Sequence, residues 1–138
     1  MAALAATDQA TPEAFAAIFR ALEADSLSQI GPMQTRLVVI PLQDDAGTVT
    51  GGFWGCTTFQ WLHIQMLFVP APQRRQGLGA ALIGAAEAEA RARHCRGAHV
   101  DAFSFQAVEF YERCGYARFG LLPDFPPGYS QHYLFKRL

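Results

Sequence analysis

Leu67-Phe68-Val69-Pro70-Ala71-Pro72-Gln73-Arg74-Arg75-Gln76-Gly77-Leu78-Gly79-Ala80 is the stretch on which the fold turns. An apolar run ends at two prolines, a basic turn follows with glycines at 77 and 79, and apolar residues then recur at Leu78, Ala81, Leu82 and Ala85. That order predicts a strand, a tight loop and a helix that opens on glycine. The first amides of a helix have no partner inside it, and the aligned peptide dipoles place about half a positive charge there. Gly77 and Gly79 let backbone come close to a ligand, and successive N–H groups in such a turn form a concave nest for phosphate oxygens. Arg74 and Arg75 add two permanent charges beside it. The segment therefore predicts a diphosphate cradle.

Two common phosphate loops do not fit. A P-loop needs four residues between its glycines and then Gly-Lys, which this stretch lacks. A dinucleotide fingerprint needs a third glycine where Leu82 stands, and no acidic residue follows at the usual distance. The pattern R/Q-x-x-G-x-G/A does fit, with Arg74, Gly77 and Gly79. The segment resembles the acetyl-coenzyme A motif of the GNAT family of N-acetyltransferases.

Working outward, 138 residues suit one domain, 1–138, able to bury roughly two thirds of its extended surface. Hydrophobic residues make up 51% and charged residues 17%, which predicts a packed globule. A net charge of -1, with arginines spread over several segments, argues against a nucleic-acid surface. Cys56, Cys95 and Cys114 include no C-x-x-C pair, so neither a metal site nor a disulfide framework is expected, and free thiols in a reducing compartment are. No apolar run approaches the ~20 residues of a membrane helix. Met1 to Ala10 has no basic start and does not read as a secretion signal, so a cytoplasmic enzyme is expected.

Thr11 can cap a helix with Pro12 in its first turn and Phe15, Ile18, Phe19 and Leu22 on one face, ending near Ala24 before a loop from Asp25 to Pro32. Arg36 to Leu42, a turn at Asp44 to Gly47, and Thr48 to Phe59 predict a hairpin, in which Gly51, Gly52 and Gly55 suggest a bulge or a close backbone approach. Trp61 to Val69 predicts a third strand, with Trp61, His63 and Gln65 on one face and Leu62, Ile64 and Met66 on the other. The helix opening at Leu78 is expected to reach Arg96 and stop at Gly97, with Glu87–Arg91 and Glu89–Arg93 on a solvated face. Ala98 to Phe103, Ala117 to Leu122 and Gln131 to Leu138 read as strands, and Ser104 as the cap of a short helix closed by Gly115. The fold class expected is α/β, a largely antiparallel sheet around one parallel pair with flanking helices.

Ser104-Phe105-Gln106-Ala107-Val108-Glu109-Phe110-Tyr111-Glu112-Arg113-Cys114-Gly115-Tyr116 resembles a second GNAT segment, with Ala107, Phe110, Tyr111, Gly115 and Tyr116 in place. Ser104 stands where many relatives have Asn. The family usually has a strand before its first helix, for which Met1 to Ala10 is a poor candidate. Either the sheet lacks that strand or a partner subunit covers the gap, and a homodimer is a hypothesis on that ground.

The resemblance implies acetyl-coenzyme A as cosubstrate, without a metal, and direct attack of a small-molecule or peptide amine on its thioester. It implies that Leu67, Phe68 and Val69 meet the pantetheine arm, with a backbone N–H of Phe68 or Val69 polarising the carbonyl. Arg74, Arg75, Gln76, Gly77, Leu78, Gly79 and Ala80 would hold the phosphates, and Ser104 and Tyr111 would also touch the coenzyme. The family's strand-four glutamate is absent; His63 and Asp101 are the candidate bases, and Tyr111 the candidate partner of the leaving thiolate. Trp54, Phe59, Trp61, Phe125 and Tyr129 are candidate acceptor-side residues. A coenzyme-binding sensor without turnover, or an acyltransferase with another donor or a hydroxyl acceptor, are the competing readings.

Overall fold

The computed structural model describes residues 4–138, so the first three residues of the Met1 to Ala10 stretch lie outside the described residues. The chain divides into two compact units, one ending at Met33 and one running from Gln34 to Leu138.

The first unit is one helix, α1 (Pro12–Ile30), and among the described residues no strand precedes it. Thr11 is extended and accepts the N–H of Ala14 at 3.1 Å, so the expected cap is present. The helix passes Ala24 because Asp25, Ser26 and Ser28 are only mild helix formers, not breakers. It stops where Gly31 turns to φ 77 and Pro32 follows.

The second unit is built from β1 (Arg36–Gln43), β2 (Val49–Thr58), β3 (Trp61–Phe68), α2 (Leu78–Ala92), β4 (Gly97–Phe103), α3 (Val108–Arg113), β5 (Ala117–Pro123) and β6 (Ser130–Arg137). The strands form one sheet in the order β1-β2-β3-β4-β6-β5, antiparallel except for the pair β3–β4. This is the mixed α/β class expected. Phe59 and Gln60 both have positive φ, 50 and 61, the paired left-handed turn that suits a two-residue hairpin.

Leu82, Ile83, Ala86 and Ala90 of α2 pack on Leu62, Ile64, Val100 and Leu134 of the sheet. Fully burying a side chain such as Leu62 stabilises the fold by about 1.5–3 kcal/mol. Val108 and Tyr111 of α3 join the same core, so both helices of this unit cover one sheet face. Register therefore puts His63, His99, Asp101 and Tyr133 on the other face.

Three further local expectations differ. First, α2 ends at Ala92 and not Arg96: His94 takes the left-handed conformation, φ 62, and Cys95 N–H reaches back to Ala90 C=O at 2.9 Å. Gly97 instead opens β4, where an added Cβ would stand 2.5 Å from the Trp61 ring. Second, Glu87 is buried, not solvated. Its carboxylate accepts Lys136 Nζ at 2.9 and 3.1 Å and the Tyr116 hydroxyl at 3.0 Å, while Arg91 stands off at 3.7 Å. Third, Ser104 does not cap α3. Its Oγ accepts Ser130 N–H at 3.1 Å and its own N–H donates to Ser130 C=O at 2.7 Å, tying the two loops together.

The feature that positions the site is a split in the sheet. β3 and β4 pair from Trp61–Gly97 to Ile64–Val100 and no further, although β3 continues to Phe68 and β4 to Phe103. A bulge begins at the same level: Gly55 pairs Ile64 but Trp54 pairs Met66, leaving Gln65 as the extra residue. The extra residue reverses the alternation. Met66, expected beside Leu62 and Ile64, is 61% exposed, and Leu67 packs against the core in its place. Gly55 lies beside the bulge, where an added Cβ would stand 2.3 Å from the His63 carbonyl oxygen. That is the close backbone approach its sequence suggested.

Candidate functional site

After Phe68 the chain makes a short 3-10 turn, Ala71–Gln73, then passes through two left-handed residues, Arg75 (φ 60) and Gly77 (φ 77), into α2. Nothing lies within 4 Å of an added Gly77 Cβ, so the conformation is what asks for glycine there. Gly79 answers a different need: an added Cβ would meet the Phe110 ring at 3.2 Å, so its absence lets α2 and α3 close up.

A cavity of about 590 Å³ opens at this junction. Leu67, Phe68 and Val69 line it from the end of β3, and Arg74, Arg75 and Gly77 from the loop. Leu78, Gly79 and Ala80 line it from the first turn of α2. The first bond into the helix runs from Ala81 N–H to Gly77 C=O at 3.0 Å, so the amides of Leu78, Gly79 and Ala80 come before the ladder begins. They leave a helix end of the kind that can hold an anion.

The loop arginines divide their work. Arg74 Nε donates to the Val69 carbonyl at 2.8 Å and its guanidinium lies 5.5 Å from the Phe68 ring centroid, so it ties the loop to β3. Gln76 is a second tie, donating to the Pro72 carbonyl at 3.4 Å, and does not line the cavity. Arg113, Phe110, Ala107 and Gln73 complete the lining. Sequence reasoning singled out none of these four as ligand contacts. Arg113 follows Phe110 by one helical turn, and that spacing was the available signal.

Ser104 and Tyr111 lie outside the lining. Tyr111 is buried, its ring edge-on to Phe110 at 5.1 Å and to Tyr116 at 6.0 Å. Burial, then Cys114 and Asp101, push its phenol up to about 12. Its hydroxyl takes no hydrogen bond from a described residue, and no sealed side-chain oxygen is left without one, so the hydroxyl reaches accessible space.

On the other face, at the level of the split, five polar side chains meet. His63 stacks on His99 with centroids 4.5 Å apart, and His63 Nε2 is 4.0 Å from Asp101 Oδ1. Asp101 Oδ2 accepts Gln131 Nε2 at 2.7 Å, and Gln131 Oε1 accepts the Tyr133 hydroxyl at 2.8 Å. Burial and the neighbouring His63 lower the pKa of His99, with Asp101 opposing. His63 and Asp101 keep about a third or more of their side-chain surface open, 35% and 42%, so a substrate can reach both.

The five candidate acceptor-side aromatics separate. Phe59 and Trp61 sit at the start of β3, the end away from the split. Trp54 pairs with Met66 near it. Phe125 and Tyr129 sit in the loop before β6, where Phe125 meets Phe103 and Tyr129 meets Phe105, with centroids 5.6 and 5.0 Å apart. Phe103 pairs with Gln131, which puts these rings on the split side.

Cys56 and Cys95 are buried and Cys114 half-buried, all three as free thiols. Among the described residues no cluster of His, Cys, Asp or Glu has the makings of a metal site, and no helix is long and apolar enough to cross a membrane.

Comparison with known proteins agrees with this arrangement. The family model described as acetyltransferase (GNAT) family matches residues 8–116. An acetyltransferase of Agrobacterium fabrum is 40% identical over 131 residues, 95% of this chain and 96% of that one. The blasticidin-S acetyltransferase of Streptomyces morookaense is 44% identical over 95 residues, 68% of this chain and 70% of that one. A crystal structure of an acetyltransferase from Agrobacterium tumefaciens superposes with a TM-score of 0.92 at 38% identity, covering 99% of this chain and all of that one. The free helix end, the parted parallel strands and the match over most of the sequence establish that this chain belongs to the acetyltransferase (GNAT) family.

Proposed function

We propose that the protein moves an acetyl group from acetyl-coenzyme A to a primary amine of a small molecule or peptide by direct attack. The observation that carries this reading is the cavity joining the free amides of α2 to the end of β3, the strand that parts from β4 beyond Ile64 and Val100. The relative named for blasticidin-S supports a small-molecule acceptor.

The donor set fits a diphosphate on an extended arm. The amides of Leu78, Gly79 and Ala80, with Arg75 and Arg113, hold the phosphates; Leu67, Phe68 and Val69 offer the apolar wall and backbone groups for the arm. Acetyl-coenzyme A supplies an acyl group activated as a thioester. A backbone N–H of Phe68 or Val69 polarises the carbonyl. His63 or Asp101 takes the amine proton, directly or through water. An amine of pKa about 10.4 at pH 7 otherwise adds near 4.6 kcal/mol to the barrier.

The thiolate leaves as the carbon–sulfur bond breaks, and Tyr111 donates a hydrogen bond to it. With its pKa at about 12 against about 8.5 for a thiol, full proton transfer runs uphill by roughly 5 kcal/mol. Tyr111 therefore stabilises the thiolate without giving up its proton.

The test is thiol release from acetyl-coenzyme A across an amine panel, with the melting temperature followed alongside. Stabilisation by acetyl-coenzyme A together with amine-dependent thiol release is the expected result. Stabilisation without release favours a sensor; a melting temperature untouched at millimolar coenzyme overturns the site.

A homodimer belongs to the same proposal. On the β1–β3 part of the sheet face opposite α2, Leu37 is 56% and Met66 61% exposed, and a second copy seated there would cover them while leaving His63 and Asp101 open to the acceptor.

A further inference from the structure

Asp101 has one carboxylate oxygen committed and one available. Oδ2 accepts the Gln131 amide at 2.7 Å, while Oδ1 faces His63 Nε2 at 4.0 Å, beyond hydrogen-bond reach. Gln131 is itself buried and passes the order along, its carbonyl Oε1 receiving the Tyr133 hydroxyl at 2.8 Å. An ionised carboxylate only accepts, so the amide turns its NH2 toward Asp101 and its carbonyl toward Tyr133. The result is a line of donors running from Tyr133 through Gln131 to Asp101.

Such a line is not what sheet packing asks for. Gln131 pairs across the ladder with Phe103, and Tyr133 with Asp101, positions where an apolar residue at 131 would bury no amide. A buried amide costs free energy unless its hydrogen bonds are made. This one makes them to the Tyr133 hydroxyl and to a carboxylate that lies one residue beyond the last β3–β4 pair, at the mouth of the split.

We infer that Gln131 is a positioning residue for the proposed acetyl transfer. It holds the Asp101 carboxylate so that Oδ1 faces His63 and the entering amine, and Tyr133 fixes Gln131 in turn. The inference rests on the proposed roles of Asp101 and His63 as proton acceptors. The other groups facing this dyad are His99 on β4, stacked on His63, and Cys56 on β2, paired with His63. Arg137 on β6 is engaged elsewhere, over the Trp61 ring at 5.3 Å.

The test is a double-mutant cycle read by steady-state kinetics with a turned-over amine. Gln131→Met keeps the length and removes the donor. It should lower kcat about 10-fold, in line with the sensitivity of proton transfer to small misplacements, and leave the KM for acetyl-coenzyme A unchanged. In the Asp101→Asn background the same change should cost less than about twofold, because no carboxylate is left to position. Equal losses in the two backgrounds mean that Gln131 only braces the sheet, and overturn the inference. Full kcat in Asp101→Asn removes Asp101 as a proton acceptor, leaving His63, and overturns the inference with it.

If Gln131→Met fails to fold, Tyr133→Phe runs the same cycle with a smaller expected loss, about threefold. A readout independent of turnover is the nitrogen NMR signal of the His63 ring without substrate. It should move in Gln131→Met as Asp101 turns away, and an unmoved signal counts against the inference.

Discussion

His63 and His99 face each other across the parallel pair β3–β4, their rings 4.5 Å apart and inclined by only 10°. Burial and the second imidazole both lower the pKa of His99 from its ordinary 6.5. The unfolded chain therefore takes up this proton before the folded one does. Stability is fully present above about pH 6.5 and falls as the pH drops through the folded value. His99→Phe keeps the stack and removes the titration. Urea unfolding between pH 7 and pH 5 should show a shallower loss in the variant; equal slopes would refute the assignment.

Tyr111→Phe separates two roles of one phenol. As a hydrogen-bond donor to the thiolate, its loss should lower kcat about 10–100-fold with little change in the KM for acetyl-coenzyme A. As a buried phenol raised from 10 to about 12, it stabilises the fold below pH 10 and loses that contribution as the pH rises toward 12. The loss is at most roughly 3 kcal/mol. Alkaline unfolding should be flatter in the variant, and full turnover in it would remove the mechanistic role.

Glu87 and Lys136 are 49 positions apart and share an ion pair at 2.9 Å, the carboxylate buried and the ammonium partly so. Glu87→Ala strands the Lys136 ammonium and the Tyr116 hydroxyl, and should destabilise by about 3–5 kcal/mol. Replacing both, Glu87→Leu with Lys136→Met, should cost much less than either change alone. Denaturant midpoints of the three variants check this, and additive losses would mean the two side chains are not coupled.

Arg113 reaches the cavity from α3, opposite the free helix end of α2. A charge-assisted hydrogen bond to phosphate is worth about 1.5–3 kcal/mol, so Arg113→Ala should weaken acetyl-coenzyme A roughly 10-fold or more. The residue is exposed and supports little packing, so the unliganded melting temperature should hold. Calorimetric titration decides, and an unchanged affinity removes Arg113 from the site.

The proposed dimer makes its own prediction. Sedimentation at micromolar protein should give twice the 15.1 kDa chain mass, and Met66→Lys on the open sheet face should shift the species toward monomer. A single-chain mass throughout would leave that face to some other use.

The sequence alone determined whatever depends on near neighbours. The loop at 74–79, the Thr11 cap, the 59–60 turn and most strand bounds follow from spacing, capping and turn chemistry, which act over a few residues. Tertiary structure decided what depends on distant partners. Gln65 bulges because β2 and β3 lose register beside Gly55, and that turns Met66 outward. Glu87 is buried because β6 brings Lys136 beneath it. Asp101 acquires its orienting amide from a residue 30 positions away. The helical period locates Glu87 on α2, and strand alternation locates Asp101 on β4. Which distant chain segment each one faces is fixed only when the sheet closes around a common core.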